Sequence, residues 1–168
     1  MTEIEQVSSV AALDRFDWAI LAALLADART SLSDLAPKVG LSPTACARRL
    51  KSLEEAGVIN GYRAVPDPQR LGLGVTVLVR VRLDSQREDA FEAFEKAVRR
   101  CASVVRCYFM SGTDDYELVV LCRDIGDFEH IHKTQLARLP HVARIQSGFA
   151  LRTVVDTGLP RGLTKAAG

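Results

Sequence analysis

The stretch that decides the fold is GLSPTACARRLKSLEEAGVINGY, residues Gly40 to Tyr62. Ser42 is a good N-cap and Pro43 suits the first helical position, so a helix starts here with a defined direction. Cys46, Leu50 and Leu53 recur at spacings of four and three and form one buried stripe. Thr44, Arg48 and Lys51 then fall on the opposite, exposed face, with Ala47 and Arg49 at its margins. Gly57 closes the helix. VINGYRAV reads as an extended segment turning at Asn60-Gly61, a favourable hairpin turn.

Working backwards, SLSDLAPKVG predicts a second, shorter helix. Ser31 with Asp34 three residues on is a variant capping box. Leu35 and Val39 point inward, Pro37 implies a local kink, and Gly40 supplies the left-handed residue that ends the helix. Further back, Phe16, Ile20, Ala23 and Leu24 lie on one face of a first helix. Trp18, Leu21 and Leu25 form a second stripe, open either to the domain's own core or to a partner subunit.

Two short helices joined by a tight turn at Val39-Gly40-Leu41-Ser42, the second basic on its outer face, make a helix-turn-helix. Its chemistry suits double-stranded DNA. A capped helix N-terminus offers free N–H groups to a phosphate, and the hydroxyls of Ser42 and Thr44 add donors there. Arg48, one turn on, can reach a base edge, where its fork pairs with guanine. Arg49, Lys51 and Arg63 are placed for phosphates, which position the protein without specifying sequence.

Working forwards, VPDPQRLGLG (Val65 to Gly74) is rich in Pro and Gly and reads as a linker. Its GLG lacks a third glycine and leads into a strand, which excludes a nucleotide-binding loop. Beyond it, VTVLVRVRL alternates as a half-buried strand. EDAFEAFEKAVRRCA is amphipathic through Phe91, Phe94, Val98 and Cys101. VVRCYFMS and YELVVLC are strands flanking a turn at Gly112-Thr113-Asp114-Asp115. FEHIHKTQLARL is a helix stopped by Pro140, and ARIQSGFALRTVV is a last strand. The order β-α-β-β-α-β is the ferredoxin-like arrangement, with both helices on one face of an antiparallel sheet. The other face, expected to carry Val, Leu and Phe, calls for cover by a second subunit.

The expected organisation is therefore α+β: a tail over 1–12, a winged-helix-like helix-turn-helix domain over 13–64, a linker over 65–74, a ferredoxin-like domain over 75–156 and a tail over 157–168. The bulk numbers agree. There are 168 residues, 22 basic against 21 acidic, for a net charge of +1, so DNA binding must come from a local patch. No apolar run approaches the roughly 20 residues that span a bilayer, and the acidic start MTEIEQVSSVAAL is unlike a signal peptide, which predicts a cytoplasmic protein without membrane contact. The four cysteines, at 46, 101, 107 and 122, lack CxxC spacing and read as small apolar residues rather than metal ligands. Three histidines, at 130, 132 and 141, do not compose an active site. His130 and His132, two apart on a helix, point in different directions. No enzyme, no metal and no cofactor is expected.

The segment from Leu13 to Tyr62 resembles the helix-turn-helix of the Lrp/AsnC, or feast/famine, transcription regulators. The resemblance is carried by Leu13-Asp14-Arg15-Phe16-Asp17, by Val39-Gly40-Leu41-Ser42-Pro43-Thr44, and by Leu53-Glu54 through Gly57-Val58-Ile59-Asn60-Gly61-Tyr62. The second half is similar to that family's sensing domain, and the likeness spans about residues 13–155. It implies homodimers that pair through their sheets and assemble into tetramers or octamers. It also implies an effector that is typically an amino acid, bound between dimers near Ser111-Gly112-Thr113-Asp114-Asp115-Tyr116. In that loop, Gly112 and a tight turn can expose N–H groups to a carboxylate, and Asp114 or Asp115 can accept from an ammonium. Ser147 falls where the family often carries a ligand-facing hydroxyl. Two residues depart from the pattern: Thr113 stands where an acid is common, and His141 replaces a usual glycine. They leave open an alternative, a regulator or architectural DNA-binding protein of this fold that no longer senses an amino acid.

Overall fold

The computed structural model describes residues 13–160, so the expected tail at 1–12 and the end of the expected C-terminal tail, 161–168, lie outside it. The chain divides into two compact units, one running to Ala64 and taking in the segment from Val155, and a second over Val65–Val154.

The first unit contains three helices, α1 (Arg15–Ala26), α2 (Leu32–Lys38) and α3 (Pro43–Glu55). Asp14 caps α1 in a full capping box with Asp17, and Ser31 and Ser42 cap α2 and α3. Pro37 is accommodated within α2, one residue from its end. It removes only one amide donor there, so the helix survives. The ends of α2 and α3 are built alike. After α2, Leu41 N donates to Ala36 O at 2.9 Å and Gly40 N to Pro37 O at 3.3 Å. After α3, Val58 N donates to Leu53 O at 2.9 Å and Gly57 N to Glu54 O at 3.0 Å. Both are Schellman closures, which need a left-handed residue, and Gly40 and Gly57 supply it at φ 70° and 69°.

The core of this unit is Ile20, Leu35, Ala36, Val39, Cys46 and Leu53, with Leu21, Ala23, Leu24 and Leu50 packed around it. Leu21 thus joins the core, while Leu25 remains 59% exposed, so the expected outer stripe on α1 is narrower than its spacing implied. The turn expected at Asn60-Gly61 is not a hairpin. Residues 60–67 form no strand, and Asn60 lacks the positive φ that a type I′ turn requires. Pro66 and Pro68 also remove two donors from any ladder here. Instead the Tyr62 hydroxyl donates to Glu54 at 2.9 Å, tying the segment back to α3. Val65–Gly74, expected as a linker, falls inside the second unit and carries a short 3-10 turn at Gln69–Leu71.

The second unit runs β1 (Val75–Leu83), α4 (Glu88–Val98), β2 (Val104–Phe109), β3 (Tyr116–Cys122), α5 (Ile125–Thr134) and β4 (Val142–Phe149). The sheet order is β2-β3-β1-β4 and every neighbouring pair is antiparallel, which is the ferredoxin-like topology. Strict alternation on β1 and β3 makes one face of the sheet the core. Val77, Val79, Val81 and Leu83 of β1 and Tyr116, Leu118, Val120 and Cys122 of β3 pack with Phe94, Val98, Phe128, Ile131 and Leu136 from the helical side. Each fully buried side chain of this kind contributes about 1.5–3 kcal/mol. The helix expected over 128–139 begins earlier, at Ile125 behind the Asp124 cap, and gives way after Thr134 to a 3-10 turn over Leu136–Arg138.

The opposite face bears Leu78, Arg80 and Arg82 of β1, Glu117, Val119 and Leu121 of β3, and Tyr108 across from Glu117. Contrary to expectation, no phenylalanine lies there. The Phe109 ring sits 5.3 Å from Tyr116 and the Phe149 ring 5.4 Å from Phe128, both on the helical side. Both strands are edges of the sheet, where the alternation that identifies a face is least visible in sequence.

Candidate DNA interface and effector loop

The start of α3 is held by Ser42, whose Oγ accepts Ala45 N at 3.3 Å while Pro43 occupies the first turn. Thr44, Arg48 and Lys51 are exposed on one side and Cys46 and Leu53 are buried on the other, as the spacing required. Among the described residues the guanidinium groups of Arg48 and Arg63 make no ion pair or hydrogen bond, so both are available to an anion. Lys51 lies 3.6 Å from Glu55 on the next turn, an exposed pair of little energetic consequence.

Arg49 differs from its neighbours. Its guanidinium lies 2.7 Å from Asp14 and 2.9 Å from Asp17, at the start of α1, and stacks over Phe16 at 5.3 Å. The hydrogen bond to Asp17 is the largest influence raising its pKa; desolvation opposes this and Asp14 adds to it. Desolvation pushes the Asp14 carboxyl up, but the amides of Asp17 and Phe16 and the Arg49 cation together hold it below its ordinary value. A phosphate would have to displace two carboxylates to reach Arg49. Where the sequence led to a phosphate contact, the structure shows Arg49 paired within the protein. In the sequence, Asp14 and Asp17 carried the signal, but nothing local links them to Arg49, which lies thirty-two residues beyond Asp17.

In the second unit a cleft of about 250 Å³ lies beneath the loop between β2 and β3. Gly112, Thr113 and Asp114 line it together with Arg80, Glu117 and Met110. Arg80 and Glu117 face each other across β1 and β3, with Arg80 Nε 3.4 Å from Glu117 Oε2. Both sit one residue out of phase with the buried positions of their strands, a signal legible in the alternation but not used. With Asp114 they give the cleft one cation and two acids, the charges complementary to a zwitterion.

Three other expected contacts are turned away. Asp115 is buried; its carboxylate accepts Leu83 N at 2.7 Å and Gln86 Nε2 at 2.9 Å. Tyr116 borders the cleft, but it is 1% exposed and its hydroxyl donates to Glu95 of α4 at 3.0 Å. Burial, then the Glu95 carboxylate, push its ionisation far up, so it stays a neutral donor. Ser147 is exposed on β4 opposite Val79, and cross-strand partners share a face, so its hydroxyl stands on the helical side rather than beside Arg80. Within one subunit it does not join the loop. His141, which the sequence left as a departure, adopts φ 60°, the only positive φ outside glycine among the described residues. Its Nδ1 lies 3.3 Å from Asp84 and its carbonyl accepts Asp84 N at 2.8 Å.

No cluster of His, Cys, Asp and Glu among the described residues fits a metal ion, and no described helix is long and apolar enough to cross a membrane. The two halves each match a family model: residues 13–60 the winged helix-turn-helix DNA-binding domain, and residues 76–160 the Lrp/AsnC ligand binding domain. The chain belongs to the Lrp/AsnC family of transcriptional regulators. Among its relatives is a proline dehydrogenase transcriptional activator of Rhodobacter capsulatus, 43% identical over 88% of this chain and 96% of that protein. The fold superposes on a transcriptional regulator of Neisseria meningitidis in complex with L-methionine, with a TM-score of 0.83 and 35% identity over 88% of this chain and 96% of that one. An AsnC family regulator of Agrobacterium tumefaciens gives a TM-score of 0.84 at 35% identity, covering 89% and 97%. The Lrp/AsnC relatives are DNA-binding regulators rather than enzymes, and the same holds for this chain.

Proposed function

We infer that this Lrp/AsnC regulator binds a specific operator through α3 and responds to a free amino acid held at the β2–β3 loop. The observation that carries the second part is the cleft in which Arg80, Glu117 and Asp114 converge. An amino acid presents a carboxylate for Arg80 and an ammonium for Glu117 or Asp114, with Gly112 and Thr113 offering backbone and hydroxyl groups around it. The Neisseria relative was solved with L-methionine, which supports the ligand class. Ser42, Thr44, Arg48, Lys51 and Arg63 make the DNA surface, with Arg48 aimed at bases and Lys51 and Arg63 at phosphates.

The open sheet face, with Leu78 and Tyr108 40% and 49% exposed, pairs with a second copy of the chain to form a dimer, and dimers associate into a tetramer or octamer. Such a regulator works in the cytoplasm. One observation favours the alternative reading, a regulator that no longer senses an amino acid: Asp115, an acid of the loop, is sequestered in the fold.

Thermal unfolding with each free amino acid at millimolar levels, proline, leucine and methionine included, separates the two. A ligand at a hundred times its Kd stabilises by about 2.7 kcal/mol, a readable rise in Tm. Arg80→Ala should abolish that rise. If no amino acid shifts Tm or operator affinity, the non-sensing reading replaces the first.

A further inference from the structure

We propose that Arg49 is a positioning residue for DNA recognition, a clamp that locks α3 in rotation against the first turn of α1 and thereby aims Arg48. The inference builds on the DNA-reading role proposed above for Arg48 and rests on how four carboxylate oxygens are divided. Asp14 Oδ1 accepts Phe16 N at 2.8 Å and Asp17 N at 3.1 Å. Asp17 Oδ2 accepts Asp14 N at 3.1 Å. The two remaining oxygens, Asp14 Oδ2 and Asp17 Oδ1, take the two terminal nitrogens of one guanidinium at 2.7 and 2.9 Å. The capping box that starts α1 is thus also the socket that receives α3.

The geometry restrains rotation. A fork held by two separate carboxylates is fixed in both distance and plane, whereas a single ion pair swivels. Phe16 supports the flat side of the fork, with the guanidinium carbon 5.3 Å from its ring centre. Arg48 is the residue before it, about 100° around the helix and 1.5 Å along its axis. Fixing Arg49 therefore fixes the direction in which the unpartnered Arg48 leaves the surface. The core side of α3 holds the helix through Cys46, Leu50 and Leu53, whose apolar contacts are non-directional, and the fork adds the direction they lack.

The sign of one substitution distinguishes this role from ordinary electrostatics. Asp17→Asn removes a negative charge near the DNA surface. If charge alone matters, DNA affinity rises. If the clamp matters, discrimination falls. The test uses the full chain, a DNA sequence enriched from a random library by the unsubstituted protein, and a scrambled duplex of equal length. Each affinity is measured over a range of salt concentrations.

For Asp17→Asn we expect the ratio of selected to scrambled affinity to fall about tenfold. Arg49→Gln should lower the ratio similarly, with the slope of log K against log salt unchanged, because no phosphate contact is lost. Arg49→Lys should not rescue it, since an ammonium cannot span two carboxylates as a fork does. Circular dichroism of each variant confirms that the helices remain, and Arg49→Lys, the mildest change, carries the test alone if the others unfold. The proposal is overturned if Arg49→Gln makes the salt slope shallower by about 0.9, the signature of a lost phosphate contact, with Lys restoring it. It is equally overturned if Asp17→Asn tightens binding to both duplexes.

Discussion

The carboxylate of Asp115 accepts the backbone amide of Leu83 at 2.7 Å, joining the loop before β3 to the end of β1 across thirty-two residues. Its other oxygen accepts the Gln86 side chain, so both are occupied by the fold. Asp114, beside it in sequence, lines the cleft with no such partners. The two acids should separate cleanly on mutation. Asp115→Ala leaves a buried N–H unsatisfied and removes a charged acceptor, at a cost of about 2–3 kcal/mol in denaturant unfolding. Asp114→Ala should change stability by less than about 0.5 kcal/mol and instead weaken any amino acid that stabilises the protein. An unaltered ligand response in Asp114→Ala would remove it from the site.

Arg48 and Lys51 both project from the exposed side of α3, but they differ in what they can read. Arg48→Ala should cost about 1–3 kcal/mol on the selected operator and relax its sequence preference. Lys51→Ala should weaken all duplexes about equally and reduce the salt slope by about 0.9. Equal losses of discrimination from both would show that the reading face of α3 lies elsewhere.

The helical unit was legible because each of its signals is local. Ser42, Pro43, Gly40 and Gly57 act within one turn of the backbone they shape, and the structure places them as caps and Schellman closures. The central strands were legible for the same reason, since alternation on β1 and β3 needs no knowledge of their partners. What sequence reading missed is long-range. Arg49 reads as one more cation in a basic run until Asp14 and Asp17 are seen across the bundle. Asp115 and Asp114 are adjacent and chemically identical, and only the position of the Leu83 amide tells them apart. Arg80 and Glu117 meet only because β1 and β3 pair in one register.

His141 holds a left-handed backbone at φ 60° in the turn that enters β4. For a residue with a Cβ this costs about 1–2 kcal/mol, whereas glycine adopts it freely but loses more entropy on folding. The side chain returns only a long contact, 3.3 Å to the partly exposed Asp84. His141→Gly should therefore raise stability modestly, by about 0.5 kcal/mol, in urea unfolding at pH 7. A loss of more than about 1 kcal/mol would show that the imidazole holds the turn, and Asp84→Asn should then cost a similar amount.

Asp127 adds an acid-sensitive contribution to the second unit's stability. The Arg123 side chain donates to it at 3.0 Å and the Arg123 amide at 2.9 Å, and these bonds lower its pKa from 3.8 to about 2. A carboxyl depressed in the folded state binds its proton more readily when unfolded. Its contribution is therefore complete above about pH 4 and is lost as the pH falls through about 2. Asp127→Asn should lower stability at pH 7 and flatten the decline between pH 4 and 2, while leaving the Asp124 cap of α5 in place. Chemical unfolding at a series of pH values, followed by near-ultraviolet circular dichroism of Tyr116 and Tyr108, checks both. An unchanged acid limb in Asp127→Asn would assign that limb to other carboxylates, and Glu129, lowered by its Lys133 partner, would be the next to substitute.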